Sequence, residues 1–465
     1  MALNKLSKYV KSSLVAICFV SGLVGLESRL YAEIYVPRDY ATIQAAIDAV
    51  EDGDTVLVAA GMYDVNAPIT FKGKNIILKS EEGAEKTIID GNYQTRIFIF
   101  NLGETNEAVL EGFTITGGKS YEGGSIYCER SSPIIINNII TLNQARAGGG
   151  ITCMNASPQI IDNMISNNSA GRAGGGIYCD NSQPIIQGNI ISGNSVGDEW
   201  GGGIVCLNDT IAEIKNNVII DNFAYEIGGG ICLWGAEATI KNNLIVKNRT
   251  IEHGGGIAGI YSILNVMNNT IVNNTTEYMG GGIHFVHEEG YGYNGFLTVL
   301  NNIVWNNKGE SELSIGGPFI VAYNDISQSD FCSQNGNICA DPLLVNPNPD
   351  SNTLDNLIET GNYEGAMKYL RKCYSLQQDS PCIDAGDGYS DPDDTRSDIG
   401  AIYFDQRTCR ADLYYDGFIN FLDYAKFANS WMRTYPGLEG DIYIDNKVDY
   451  KDLEILAENW LYGCD

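Results

Sequence analysis

A repeat of about 26 residues fills the middle of the chain and limits its fold more than any other feature. A Gly-Gly-Gly-Ile segment (Gly-Gly-Ser-Ile in the first copy) recurs every 25 to 27 residues. The isoleucines that end its copies are Ile126, Ile151, Ile177, Ile204, Ile231, Ile257 and Ile283. Self-similarity at such a period is typical of a solenoid, in which each repeat packs only against its two neighbours.

Two asparagine rows recur in step with this segment. The first asparagine row contains Asn138, Asn163, Asn189, Asn217, Asn243, Asn269 and Asn302. The second asparagine row follows five residues later, at Asn143, Asn168, Asn194, Asn222, Asn248, Asn274 and Asn307. Stacked amides can hydrogen-bond from one coil to the next. Asn and Gly also tolerate the left-handed conformation of tight corners, which we expect at Asn155, Asn181, Asn208 and Gly235.

Short β-branched runs flank the first asparagine row, as at Ile135 and Ile140, and Gly, Asn and Pro separate them. This pattern favours short strands over helices. A repeat of this length fits one coil of a parallel β-helix with three strands, and successive coils stack about 4.8 Å apart. We therefore predict an all-β solenoid of the parallel β-helix type over residues 33–340.

Four cysteines lie two residues after the repeat isoleucine: Cys128, Cys153, Cys179 and Cys206. We interpret them as a row of small buried apolar residues rather than a metal or redox ladder. Cys232 follows its isoleucine by one residue, so it should point outward and is our candidate for an unpaired thiol. Cys332 with Cys339, Cys373 with Cys382, and Cys409 with Cys464 are candidate pairs.

Residues 1–32 have the features of an export signal. A basic start at Lys5, Lys8 and Lys11 precedes an apolar stretch, and Leu30-Tyr31-Ala32 offers a cleavage site. No second apolar span follows, so we expect no membrane span in the mature chain and a secreted, extracellular or cell-surface location. The chain has 58 acidic and 29 basic residues, a balance that argues against nucleic acid as a partner.

The start of the mature chain reads as an amphipathic helix over residues 40–50, which we expect to cap the first coil. The motifs Thr-Ile-Gln-Ala-Ala-Ile from Thr42 and Gly-Asp-Thr-Val from Gly53 resemble the start of secreted pectate-lyase-like right-handed parallel β-helix proteins. That group includes polysaccharide lyases, hydrolases, epimerases and adhesins. The repeats are also similar to those of polymorphic outer membrane proteins. Residues 341–405 resemble a closing segment with linker.

Residues 406–465 contain two loops rich in oxygen ligands, each followed by a helical stretch. The duplicated pattern resembles a dockerin, which implies calcium binding and a cohesin-like scaffold as partner. The matching positions are Asp412, Asp416, Asn420 and Asp423, then Asp441, Asp445, Asp449 and Asp452. Tyr414 and Tyr443 replace the usual oxygen ligand at loop position 3, which points to weak affinity. The alternative is that these acidic loops only cap helices.

Five charged residues, here called the charged row, precede successive Gly-Gly-Gly segments: Arg146, Arg172, Glu199, Glu226 and Glu252. The period places them on one edge of the solenoid, so we propose them as catalytic candidates. Stacked carboxylates repel, which raises the pKa of one of them or draws in a cation. A raised-pKa Glu suits general-acid chemistry, and calcium with Arg suits β-elimination from a uronate. The alternative is a solvated edge.

Trp200, Asp198 and His253 neighbour the charged row and are our substrate-binding candidates. Trp234 and Tyr278 are further candidate platforms for sugar rings. His284 should point outward, and we interpret the His284-x-x-His287 pair as surface residues rather than a zinc site. Two functions stay open: a carbohydrate-active enzyme (lyase or glycoside hydrolase) acting on polysaccharide, and a non-catalytic adhesive β-helix that binds glycan or protein. The dockerin-like tail favours the first, and the regular repeat favours the second.

Overall fold

The computed structural model describes residues 31–287, 295–388, 390–393, 395–404, 424–425, 427–428, 431–432 and 447–458. Within them, short strands stack in parallel into three long sheets and one short sheet. Sheet A contains Glu33–Val36, Thr55–Val58, Ile77–Ser80, Val109–Glu111, Ile134–Ile136, Gln159–Ile161, Ile185–Gln187, Ile211–Lys215, Glu237–Lys241, Ile263–Met267, Phe296–Leu300 and Phe319–Ala322. Sheet B contains Gly61–Asp64, Thr87–Asp90, Thr114–Thr116, Ile139–Thr141, Met164–Ser166, Ile190–Ser192, Val218–Ile220, Leu244–Val246, Thr270–Val272, Ile303–Trp305 and Asp325–Ile326.

The Gly-Gly-Gly-Ile segments lead into sheet C. Its strands are Ile69–Thr70, Phe98–Phe100, Ile126–Glu129, Ile151–Met154, Ile177–Asp180, Ile204–Leu207, Ile231–Trp234, Ile257–Ile260, Ile283–Val286 and Leu313–Gly316. Sheet D is the short one, with Lys119–Glu122, Gln144–Ala147, Ser169–Ala173, Ser195–Val196, Phe223–Ala224 and Arg249–Thr250. The predicted three strands per coil are therefore joined by a fourth in the central coils, because the residues before each Gly-Gly-Gly also pair.

Equivalent residues of successive coils lie in register, which confirms the predicted parallel β-helix. Ile126 pairs with Ile151, which pairs with Ile177. The inward side chains of the three long sheets form one continuous core with almost no exposed surface. Cys128, Cys153, Cys179 and Cys206 belong to that core, so they are a buried row as predicted, and burial raises the pKa of the Cys128 thiol.

Both asparagine rows form continuous hydrogen-bonded ladders at the corners between sheets. The Asn217 side-chain amide donates to Ile186 O at 2.9 Å and to Asn243 Oδ1 at 3.0 Å, while its Oδ1 accepts from Asn189. The first asparagine row continues through Asn324 to Asn337, and the second ends on the carboxylate of Glu312. The four predicted corner residues do have positive φ, between +44° and +58°: Asn155, Asn181, Asn208 and Gly235.

A helix close to the predicted position lies beside the first coil. Helix α1 (Ile43–Ala49) begins at Thr42, whose side chain accepts from the Ala45 N–H, and it buries Ile43, Ala46 and Ile47. It packs against the first strands of sheets A and C. Lys74 Nζ donates to Ile47 O and Val50 O at 2.8 and 2.7 Å, which satisfies carbonyls at the helix C-terminus. Its role as a cap remains a prediction.

Two helices cover the outer face of sheet B. Helix α2 (Ser351–Glu359) and helix α3 (Tyr363–Cys373) begin at capping side chains of Asp350 and Asn362. Their apolar residues share a buried cluster with the outward residues of sheet B. The region expected to be a closing segment and linker therefore also supplies a helical layer. A short 3₁₀ turn, Ser329–Phe331, precedes the Cys332–Cys339 disulfide.

The cysteine predictions have mixed outcomes. Cys332 and Cys339 form the expected disulfide. The proposed Cys373–Cys382 pair is wrong, since both thiols are free and Cys382 Sγ donates to Asp325 Oδ2 at 3.2 Å. Cys409 and Cys464 lie outside the described residues. Cys232 does point away from the core, but it is fully buried beneath a second apolar layer.

Near the C-terminus, helix α4 (Tyr450–Glu458) is described, with Trp431 packed edge-on against Tyr450. No helix in the described ranges is both long and apolar enough to span a membrane.

Candidate functional site

The charged row forms one ladder at the edge between sheets D and C. The Glu199 N–H donates to Arg172 O, and the Glu226 N–H donates to Glu199 O, at 3.1 and 3.0 Å. The Glu252 N–H in turn donates to Glu226 O at 3.2 Å. Arg146 precedes Ala147, which pairs with Ala173 beyond a small irregularity. The predicted order of two arginines followed by three glutamates is therefore observed along this edge.

The two arginines have different partners. Arg172 Nε lies 2.8 Å from Glu199 Oε2, and this hydrogen bond raises the pKa of Arg172. Arg146 instead donates to the hydroxyl of Tyr121 and lies 5.1 Å from the centroid of that ring. Both guanidiniums are exposed, so each retains donors for a ligand. Because Glu199 already neutralises Arg172, Arg146 carries the less compensated positive charge.

Glu226 is the glutamate of the charged row whose pKa is raised. Burial raises the pKa of Glu226, and the neighbouring charges of Glu252, Glu199 and Asp198 raise it further. A hydrogen bond from the Trp200 side chain acts in the opposite direction. A carboxyl group with a raised pKa beside an aromatic ring is the arrangement expected of a general acid.

A second ladder beside the charged row places the aromatic side chains. Ala173, Trp200, Ile227 and His253 pair in succession from coil to coil. The Trp200 ring stacks on Trp234 with centroids 4.9 Å apart, and Arg172 lies 5.8 Å from the Trp200 centroid. Beneath these rings lies an apolar layer on the outer face of sheet C, which explains why Cys232 is buried.

These side chains enclose an open groove of about 310 Å³, here called the aromatic groove. The polar and aromatic residues that line it are Tyr121, Glu122, Arg146, Arg172, Tyr178, Asp180, Trp200, Asn208 and Trp234. Sequence reasoning missed Tyr121, Tyr178 and Asp180. The last two lie one and three residues after Ile177, where strand alternation places side chains on the outer face, so the pattern contained a usable signal.

His253 and Asp198 do not line the aromatic groove. His253 stacks on His284 instead, with ring centroids 4.6 Å apart and planes 16° apart. The prediction that His284 and His287 are surface residues is wrong for His284, which is only 6% exposed. Burial, assisted by His253, lowers the pKa of His284 to about 4. Asp198 is exposed at the edge and acts on Glu226 through its charge.

Most of the proposed calcium ligands lie outside the described residues: Asp412, Asp416, Asn420, Asp423, Asp441 and Asp445. The remaining two ligand candidates, Asp449 and Asp452, make hydrogen bonds typical of the start of a helix. Asp449 Oδ1 accepts from the Lys451 N–H at 3.0 Å, and Asp452 Oδ2 accepts from the Asp449 N–H at 2.8 Å. Among the described residues, no three His, Cys, Asp or Glu side chains are grouped to hold a metal.

Comparison with family models supports the fold. The profile of the family described as right handed beta helix region matches residues 75–245. Among solved structures, the crystal structure of pectate lyase Pel9A is similar with a TM-score of 0.45 and 14% identity, covering 81% of this chain and 97% of that chain. No curated protein matches the sequence. The family match, together with the parallel strand order, identifies the solenoid as a right-handed parallel β-helix.

Proposed function

We propose that this chain is a carbohydrate-active β-helix protein that binds an oligosaccharide in the aromatic groove. One observation carries the proposal: Arg146 and Arg172 lie beside the stacked Trp200–Trp234 pair in one open groove. Indole faces pack against the C–H faces of sugar rings, and guanidinium forks pair with carboxylate or sulfate groups. The groove thus offers both contacts that an acidic glycan needs.

The groove is built on a rigid support. Trp200 and Trp234 rest on residues of the outer apolar layer that are themselves buried, such as Val205 and Ala258. Arg172 is held by Glu199, and Arg146 is held by Tyr121. Side chains whose positions are fixed before binding lose little conformational freedom, so more of the interaction energy appears as affinity.

For catalysis we propose Glu226 as the general acid, because burial and the neighbouring carboxylates raise its pKa at a position beside Trp200. In a lyase or glycoside hydrolase active site, Arg172 and Glu199 would be the charged pair next to this acid. The regular stacking of the coils supports the second candidate, a non-catalytic β-helix that binds glycan and leaves it intact. Product analysis separates the two.

The test is binding and cleavage of a panel of neutral and acidic oligosaccharides, by calorimetry and product analysis. Trp200→Ala and Arg146→Ala should each weaken binding about tenfold or more, whereas Arg249→Ala should not. Arg249 is a matched control because it is an exposed arginine on the same edge, stacked on Phe223 and outside the groove. Equal affinity in all three variants would contradict the site. Ultraviolet-absorbing unsaturated products indicate a lyase, new reducing ends alone indicate a hydrolase, and unchanged glycan indicates a binding protein.

We further propose that residues 1–32 direct export and that the dockerin-like tail binds calcium and a cohesin-like scaffold at the cell exterior. The residue types of the two loops support this, since carboxylate and amide oxygens suit calcium. Calcium calorimetry on the full chain, with an Asp412→Ala/Asp441→Ala variant as comparison, tests the metal. Identical heats for the two proteins would contradict these loops as the site.

A further inference from the structure

The charge on the groove edge changes sign immediately beyond the aromatic groove. Arg146 and Arg172 line the groove, whereas Glu226 and Glu252 continue the same row on the next coils. Glu199 lies between the two pairs and is bonded to Arg172. The arginines of the row therefore extend over only two coils, about 10 Å at the usual strand spacing. Glu122 and Asp180 also line the groove, so Arg146 supplies most of the uncompensated positive charge there.

The two outer carboxylates have no basic partner among the residues that the structure describes. In the described part of the chain, neither Glu226 nor Glu252 takes part in an ion pair with Lys or Arg. His284 lies behind His253 and is held neutral by burial, so it adds no compensating charge above pH 5. The negative potential at this end of the edge is thus open to a ligand.

An extended glycan that follows the edge would meet both ends of the row. Sugar rings stacked on Trp200 and Trp234 would place acidic substituents near Arg146 and Arg172. Any acidic substituents further along the chain would lie over Glu226 and Glu252, within the screening distance of about 8 Å at physiological salt. Like charges brought together at an interface select against the wrong partner.

Building on the proposed function, we infer that the groove selects a glycan with a short acidic block next to neutral sugars and rejects a uniformly polyanionic chain. Glu226 and Glu252 are the specificity-determining residues of this selection. Arg146 and Arg172 accommodate at most about two acidic residues, one per coil, because Glu199 already pairs with Arg172. The ligand class is therefore a mixed neutral–acidic polysaccharide, or the acidic end of a neutral one.

The experiment compares two hexasaccharide probes by calorimetry in EDTA. One probe is uniform hexagalacturonate, and the other has two galacturonate residues followed by four neutral galactose residues. The wild-type protein should bind the mixed probe roughly tenfold more tightly than the uniform one, a difference of about 1.4 kcal/mol. Glu226→Gln/Glu252→Gln should remove most of that difference by improving affinity for the uniform probe. Circular dichroism checks the fold of the variant.

The control is Glu107→Gln/Glu237→Gln, which removes two exposed glutamates associated with sheet A and should leave the tenfold preference unchanged. Equal affinity of the wild type for both probes would overturn the inference while leaving the proposed function intact. Tight binding of the uniform probe that requires added calcium would also overturn it, because a bridging cation would then make the glutamates attractive. Absence of binding by both probes would overturn the proposed function and the inference together.

Discussion

The first asparagine row and the charged row both stack one polar side chain per coil, yet they behave in opposite ways. Each amide carries a donor and an acceptor, so identical neighbours satisfy each other and the row can be buried, as Asn217 shows. A carboxylate has only acceptors, so Glu226 and Glu252 repel and remain partly solvated. Self-complementary groups can thus repeat unchanged in the interior, whereas a row of charges must stay at the surface, where its sequence is free to vary.

The largest expected effect comes from breaking the amide ladder. Asn217→Leu should lower the free energy of unfolding by about 3–5 kcal/mol, because Ile186 O, Asn243 Oδ1 and the Asn189 amide lose their buried partner. Urea unfolding measures this. Asn242→Gly, at a neighbouring corner with φ +56°, is the control and should cost less than about 0.5 kcal/mol. Similar losses for both variants would show that the ladder does not stabilise the fold.

The stacked pair His253 and His284 allows the contrast between neutral and charged rows to be tested with a group that titrates. Because the pKa of His284 is lowered to about 4 in the folded chain, the protonated form is disfavoured there. The stability contributed by neutral His284 is complete above the unfolded pKa of about 6.5 and is lost as the pH falls from 6.5 to 4, by about 3 kcal/mol. His284→Phe keeps the ring and removes the titration. The difference between wild type and variant, measured by urea unfolding at pH 7 and pH 4.5, isolates this group from the titrating carboxylates.

In the charged row, removing one charge should stabilise the fold rather than destabilise it. Glu226→Gln should stabilise the fold at pH 7 by a few tenths of a kcal/mol, since repulsion from Glu252 and Glu199 disappears while screening keeps the effect small. The gain should shrink as the pH is lowered, because the raised pKa of Glu226 lets the wild type take up a proton more readily. Thermal unfolding at pH 7 and pH 5 measures it. A loss of stability at pH 7 would show that the Trp200 hydrogen bond outweighs the repulsion.

The smallest effect is expected for the Arg172–Glu199 pair. A double-mutant cycle with Arg172→Ala and Glu199→Ala should give a coupling energy below about 1 kcal/mol, because both side chains are partly exposed. Added salt should reduce it further. A coupling above about 2 kcal/mol would place this pair in the same class as the buried amide ladder and would remove the distinction between the two rows.

Much of the solenoid could be predicted from the sequence because its signals repeat. The Gly-Gly-Gly-Ile period, the paired asparagines and the inward isoleucines occur in every central coil, so the coil, its interior cysteine row and its left-handed corners followed from the sequence. The helical layer over sheet B was missed, although continuous apolar runs such as Val218–Ile220 and Leu244–Val246 indicate strands buried on both faces.

Only part of the candidate site could be predicted from the sequence, and the reason is physical. The charged row lies at one position of the repeat, so its stacking followed from the period. The aromatic groove combines positions from different strands of the coil, since Tyr121 comes from sheet D, Tyr178 from sheet C and Trp200 from the segment between them. Their meeting depends on how the coil turns at each corner, which the spacing of residues along the chain does not specify.

The sequence by itself determined which residues stack, because strand pairing at a fixed period brings identical positions together. Only the tertiary structure decided which outward residues are covered. Cys232 and His284 face away from the core as the alternation requires, yet Trp200 with Trp234 covers the former and His253 packs against the latter. Exposure depends on the size and orientation of side chains on neighbouring coils, and that is a property of the packed surface rather than of the strand.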